Sequence, residues 1–199
     1  MNSLLKPLRM KVAFLALLLS VAAIAEPLTW REVSPPRGLP SHPQSRVWRT
    51  DSPEFLFHGY VDKDESPYLD IYTATESSWK RQAHLDVAPS WTEGNFSIAP
   101  LDSNKKEGWV LWSESGGVSA VAFPDGWGGD RVWGGCDRSE FSTTGWSTTG
   151  VSEGEGPFSF YNRHEWPGEE TEEGRQVDST TDSYVWNWEK RDFVLESDS

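Results

Sequence analysis

An alternation of side-chain character with a period of two constrains the fold of this chain more than any other feature. It is clearest over residues 79–87, where Trp, Arg, Ala, Leu and Val occupy the odd positions and Lys, Gln, His and Asp the even positions. Successive side chains of a β-strand point to opposite faces of the sheet, so the pattern predicts a strand. Residues 75–78 (Thr-Glu-Ser-Ser) predict a turn before it, and a second alternating run, residues 68–73, precedes the turn. The sequence therefore predicts a hairpin here.

Composition and two further segments also indicate strands. The sequence contains 12 Trp, 9 Phe and 5 Tyr together with 17 Gly and 13 Pro, which is typical of strands joined by tight turns. Residues 109–112 (Trp-Val-Leu-Trp) are apolar at consecutive positions and predict an interior strand that is covered on both faces. Residues 184–188 and 193–195 predict a final hairpin. We therefore expect an all-β fold built of antiparallel hairpins.

The first 25 residues have the features of a secretory signal peptide. Lys6, Arg9 and Lys11 precede an apolar run over residues 12–23, and residues 23–25 (Ala-Ile-Ala) form a small-x-small cleavage site. The apolar run is too short for an ordinary transmembrane helix, and no later stretch is long enough. The sequence therefore predicts an exported protein, secreted or periplasmic, without a transmembrane segment.

Proline dominates the segment that follows. Residues 26–46 include four prolines between positions 34 and 43, which exclude a helix or a central strand and predict an extended arm or linker. Residues 47–199 are then expected to form a single β-rich repeat domain.

Charge and cysteine content narrow the classes of partner. Without residues 1–25, the chain carries 15 basic and 31 acidic residues, a formal net charge of −16. This charge repels phosphate groups, so nucleic acid and anionic membranes are not expected partners. The single cysteine, Cys136, has no second cysteine in the chain, so export is not used to build a disulfide framework.

Oxygen-bearing side chains recur between residues 62 and 70. Calcium accepts about six to eight oxygen ligands in flexible geometry, and side chains two residues apart in a loop can turn inward together. An EF-hand is excluded, because Pro67 and Thr73 occupy the positions that require Gly and Glu. The candidate ligands are Asp62, Asp64, Ser66 and Asp70.

The spacing Asp62-x-Asp64-x-Ser66-x-x-x-Asp70 resembles the calcium loop of FG-GAP or VCBS repeats, the blade units of integrin-type β-propellers. This resemblance implies that the four residues hold one Ca²⁺ as a structural staple. A shift of 40 positions places Asp62 on Asp102, and a shift of 116 places it on Asp178, which is compatible with repeated blades of about 40 residues. The expected architecture is a small or partial β-propeller, with a β-sandwich as the alternative.

Signatures of catalysis are missing from the sequence. It has no His-Glu-x-x-His zinc helix, no Gly-x-Ser-x-Gly elbow, no phosphate-binding loop and no dinucleotide fingerprint. No catalytic residue is therefore assigned. Core packing is the first interpretation of the tryptophans, but Trp127, Trp133 and Trp146 lie beside glycine-rich turns and are candidates for exposed platforms that bind sugars.

These observations lead to three functional hypotheses. The first is a non-enzymatic, exported binding protein that contacts a protein or envelope partner through its loops and contains a possible structural calcium site. The second is a carbohydrate-binding module, or a glycoside hydrolase-like protein, that uses exposed tryptophans and nearby acids. The third is an acidic periplasmic inhibitor or immunity-type protein whose negative face blocks a basic enzyme.

Overall fold

Antiparallel β-strands are the main secondary structure of the described chain. The computed structural model describes residues 27–137, 146–152, 155–171 and 174–196. Within these ranges it contains three sheets, and in each sheet the strands lie side by side in chain order. The prediction of an all-β fold of antiparallel hairpins is confirmed. Among the described residues, no helix is long and apolar enough to cross a membrane.

The three sheets follow one another along the chain. The first sheet contains β1 (Trp30–Glu32), β2 (Arg46–Thr50), β3 (Phe55–Val61), β4 (Pro67–Ala74) and β5 (Trp79–Asp86). The short helix α1 (Pro89–Thr92) leads to the second sheet, which contains β6 (Ser97–Asp102), β7 (Lys105–Ser113), β8 (Gly117–Phe123) and β9 (Val132–Asp137). The third sheet contains β10 (Trp146–Val151), β11 (Ser159–Thr171), β12 (Gly174–Asn187) and β13 (Asp192–Glu196).

The second sheet lies between the other two and is buried on both faces. On one face, Leu111 and Val121 pack in a first core with residues of the first sheet such as Phe57. On the other face, Val110 packs in a second core with residues of the third sheet such as Phe160. Leu111 and Val110 are adjacent on β7 and both are fully buried. The predicted interior strand over residues 109–112 is therefore confirmed.

The outer faces of the first and third sheets are more polar than their inner faces. The outer face of the third sheet carries a hydroxyl-rich row across three strands, with Thr148 opposite Arg163 and Arg163 opposite Thr181. The outer face of the first sheet carries His58 and Asp70, which are cross-strand partners, beside a small apolar cluster of Val47, Leu56 and Tyr72.

A proline-rich arm, residues 33–45, lies against the outer face of the first sheet. The amide of Val33 donates to the carbonyl oxygen of Val47 at 2.8 Å, and Leu39 packs on the apolar cluster of that face. Residues 30–32 form β1, which pairs with β2. The segment is extended, as its prolines predict, but it packs on the domain rather than acting only as a linker.

Two turns separated by 40 residues have the same local geometry. Asp62 lies in the β3–β4 turn and Asp102 in the β6–β7 turn, and in each the Oδ1 atom accepts a hydrogen bond from the amide two residues later, at 2.9 Å. The 116-residue shift gives no third copy of this turn, because Asp178 lies within β12 opposite Trp166.

Close contacts join the second sheet to the third. The amide of Phe158 donates to the carbonyl oxygen of Leu101 at 2.8 Å, and the Trp188 indole nitrogen donates to Asp102 Oδ2 at 2.8 Å. Gly134 of β9 lies against the Phe193 ring, where a Cβ atom would overlap the ring carbons. Glycine is therefore required at this contact.

Candidate functional site

The Asp62 turn uses its carboxylate to hold its own backbone. Asp62 Oδ1 accepts hydrogen bonds from the amides of Asp64, at 2.9 Å, and Ser66, at 3.0 Å. The Asp62 amide in turn donates to the carbonyl oxygen of Ser66 at 3.0 Å. An aspartate that accepts from amides two to four residues later stabilises a tight turn. This role in the turn accounts for an aspartate at position 62 without a bound metal.

The four predicted calcium ligands are not brought together. Asp70 lies within β4 on the outer face of the first sheet, where Arg81 and His84 contact its carboxylate. Among the described residues, no three His, Cys, Asp or Glu side chains cluster closely enough to hold a metal ion. The calcium-ligand set that the FG-GAP resemblance implies, Asp62, Asp64, Ser66 and Asp70, stays a prediction.

Asp70 is instead the centre of a polar network. Its side chain is 1% exposed. Its Oδ1 atom lies 2.6 Å from Nδ1 of His84, and its Oδ2 atom accepts hydrogen bonds at 3.2 Å from both the Tyr72 hydroxyl and the Arg81 guanidinium. Burial and the Asp70 charge raise the pKa of the Tyr72 hydroxyl, and the hydrogen bond to Asp70 raises the pKa of Arg81. A buried carboxylate is thus fully engaged by neighbouring side chains.

A β-bulge places Arg81 in this network. The simple alternation of β5 predicts that Arg81 shares a face with Ala83 and Leu85, and this prediction is wrong. The register shifts between Ile71 and Tyr72, so that Ile71 pairs with Ala83 while Tyr72 pairs with Arg81. The extra residue, Gln82, turns Arg81 to the outer face, where it reaches Asp70.

The three predicted sugar-binding tryptophans have different surroundings. Trp127 is 5% exposed and stacks on Trp109 in the first core with ring centroids 6.0 Å apart, so the predicted exposed platform is wrong at this position. Trp133 is 44% exposed on β9, with its ring centroid 6.2 Å from that of Trp91. The side chain of Trp146 lies outside the described residues.

The β11–β12 hairpin extends beyond the neighbouring strands. In the described chain, β10 pairs with β11 only as far as Glu165, and β13 pairs with β12 only from Ser183 onward. Residues 166–171 and 174–178 therefore pair, among the described strands, only with each other. A two-stranded ribbon of this kind gains little stability in water on its own.

The exposed part of the hairpin carries an aromatic residue opposite a carboxylate. Trp166 is 40% exposed, and its cross-strand partner is Asp178. Both lie on the side of the ribbon that continues the inner face of the third sheet, since Phe160 and Tyr184 form a pair further along the same face. Val177, also exposed, pairs with Pro167 and lies on the opposite side.

Sequence reasoning missed both the Asp70 network and the Trp166 face. The shared face of Tyr68, Asp70 and Tyr72 can be read from their spacing, but the bulge that adds Arg81 cannot. The acidic tract around residue 169 reads as a solvated loop, whereas residues 159–171 form one continuous strand.

Comparison with known proteins adds no family, since no protein-family model, no curated protein and no solved structure matches this chain.

Proposed function

We propose that this chain is an exported, non-enzymatic binding protein that holds a cationic segment of a protein partner on its β11–β12 hairpin. The observation that carries the proposal is the exposed Trp166 ring directly opposite Asp178. An aromatic face attracts a Lys or Arg side chain through its quadrupole, and an adjacent carboxylate pairs with the same charge. The two groups together select a cation.

The charge of the hairpin supports the same partner. Residues 165–182 contain seven acidic residues and one basic residue, Arg175. A concentrated negative charge accelerates the encounter with a cationic partner and repels anionic ones. Exposed strand edges also allow an extended peptide to add to the ribbon by main-chain hydrogen bonds.

The test is binding of a fluorescein-labelled Lys/Arg-rich peptide to the chain without residues 1–25, measured by fluorescence anisotropy. We expect Trp166→Ala and Asp178→Asn each to weaken binding by about tenfold, because each removes one of the two cation-binding groups. The matched control is Val177→Thr, on the opposite side of the same hairpin, which should leave the affinity unchanged.

Ionic strength provides a second readout of the same proposal. Binding should weaken strongly between 50 mM and 500 mM NaCl, because salt screens exposed charges. Equal affinity in all four proteins would overturn the proposal, as would equal binding of a Glu-rich peptide of the same length.

One observation favours a second candidate, a glycan-binding protein. Trp133 presents 44% of its surface on β9 and could stack against a sugar ring. Binding on a glycan array that disappears in Trp133→Ala would support this function. A silent array would count against it.

A further inference from the structure

His58 is a buried histidine without a hydrogen bond. Its side chain is fully buried on the outer face of the first sheet. Neither ring nitrogen has a hydrogen-bond partner among the described residues. Leaving two imidazole nitrogens buried and unpaired is costly, and adding a proton there costs more. The surroundings of His58 are therefore suited to the neutral ring alone.

Part of the cover over His58 comes from the proline-rich arm. His42 of the arm stacks on Tyr60, with ring centroids 3.9 Å apart and an interplanar angle of 12°. The His42 and His58 rings are 5.6 Å apart. Leu39 packs on the same face against the apolar cluster of Val47, Leu56 and Tyr72. The ring of His58 is thus contacted from two sides, by Tyr60 of β3, with ring centroids 5.0 Å apart, and by His42 of an arm that belongs to no sheet.

The other charged and titratable groups on this face define the electrostatic setting of His58. Burial, the largest effect, lowers the pKa of His58; the Asp70 charge opposes this shift, and His42 adds to it. The Asp70 carboxylate is already hydrogen bonded to its three neighbours, so it offers little compensation to a charged His58. The titratable and charged groups on the same face of the sheet as His58 are Tyr60 on β3, Tyr68, Asp70 and Tyr72 on β4, Arg81 and His84 on β5, Arg49 on β2, and His42 on the arm.

We infer that the proline-rich arm is an acid-releasable latch and that His58 is its sensor. When His58 gains a proton, hydration of the ring requires the arm to lift from the sheet. Lifting uncovers Tyr60, Leu56 and Tyr72, which gives the outer face an apolar surface that it lacks at neutral pH.

The direction of the pH effect follows from linkage. A histidine whose folded-state pKa is lowered binds fewer protons when the arm is closed than when it is open. The closed state is therefore fully favoured above about pH 6.5 and loses stability as the pH falls below it. One proton can change the opening equilibrium by up to about tenfold per pH unit in this range.

The experiment is hydroxyl-radical footprinting of the chain without residues 1–25, read by mass spectrometry at pH 7.5, 6.0 and 5.0. We expect oxidation of Tyr60 and Tyr72 to rise severalfold at pH 5.0. Trp186 and Phe160 of the second core should stay protected, which distinguishes arm release from global unfolding. His58→Leu should remove the pH dependence. His58→Gln is a second variant of the same design, which keeps a neutral polar side chain at the site.

Three results would overturn the inference. The first is pH-independent oxidation of Tyr60 in the unmodified chain. The second is an unchanged pH response in both His58 variants. The third is a response that disappears in His42→Gln but persists in His58→Leu, because it would make His42 the sensor. The hairpin proposal is independent of all three results.

Discussion

Asp62 and Asp102 occupy the same kind of hairpin turn, yet their carboxylates have different surroundings. Each Oδ1 atom accepts a hydrogen bond from the amide two residues later. The side-chain bonds described for Asp62 stay within its own turn. Asp102 is 4% exposed, and its second oxygen accepts a hydrogen bond from Trp188, 86 residues away. A local motif thus gains a long-range structural role where a distant side chain covers it.

The largest difference between the turns is expected from removal of each carboxylate. Asp102→Ala should lower the free energy of unfolding by about 3 kcal/mol, because it deletes the turn bond and leaves the indole N–H of Trp188 without its acceptor. Urea unfolding measures the change. The matched control is Asp102→Asn, which keeps one acceptor oxygen and should lose about 1 kcal/mol. If Asp102→Ala lowers the free energy of unfolding no more than Asp62→Ala does, the burial of Asp102 does not add to stability.

Removing the distant partner tests the same contact from the other side. Trp188→Phe should cost about 2 kcal/mol, because it keeps an aromatic ring but removes the donor to a buried carboxylate. In a double-mutant cycle with Asp102→Ala, the two losses should be clearly less than additive. Strict additivity would contradict a direct bond between these side chains.

The Asp62 turn is expected to show a smaller and metal-independent effect. Asp62→Ala should lower the free energy of unfolding by about 1 kcal/mol. The amides of Asp64 and Ser66 would lose the carboxylate that accepts their hydrogen bonds and would bond to water instead. Thermal unfolding in EDTA and in a calcium titration should show the same loss in both. A loss seen only with calcium would restore the calcium loop that the FG-GAP resemblance implies.

The smallest effect concerns a surface cation. The Lys105 ammonium lies 4.6 Å from the centroid of the Trp188 ring. Lys105→Gln should cost about 0.5 kcal/mol, as expected of an exposed cation–π contact. Lys63→Gln, in the exposed Asp62 turn, is the control and should have no measurable effect. Equal changes in the free energy of unfolding at both positions would show that the cation–π contact of Lys105 does not stabilise the fold.

The strands could be predicted because their signals are local. The turn at residues 75–78, the interior strand at 109–112 and the final hairpin each follow from alternation, turn residues and apolar content within about ten positions. The structure places a strand or turn at each of these positions.

The candidate sites could not be predicted because they depend on distant contacts and on one register shift. Nothing local distinguishes Trp127, which the first core buries, from Trp133, which remains exposed. Arg81 reaches Asp70 only because Gln82 is bulged. His58 is buried by an arm whose prolines indicate extended backbone but not the surface on which that backbone lies.

The two-sided burial of the second sheet determines how this architecture can grow. A chain that ended after β9 would leave the apolar side chains of Leu101, Val110 and Ala122 uncovered. The first and third sheets each combine one apolar face with one more polar face, so they terminate the stack as capping units do in repeat proteins. A fourth sheet would have to be inserted between the first and third sheets, so that their polar faces stay on the outside of the stack. Such a sheet would need to be apolar on both faces.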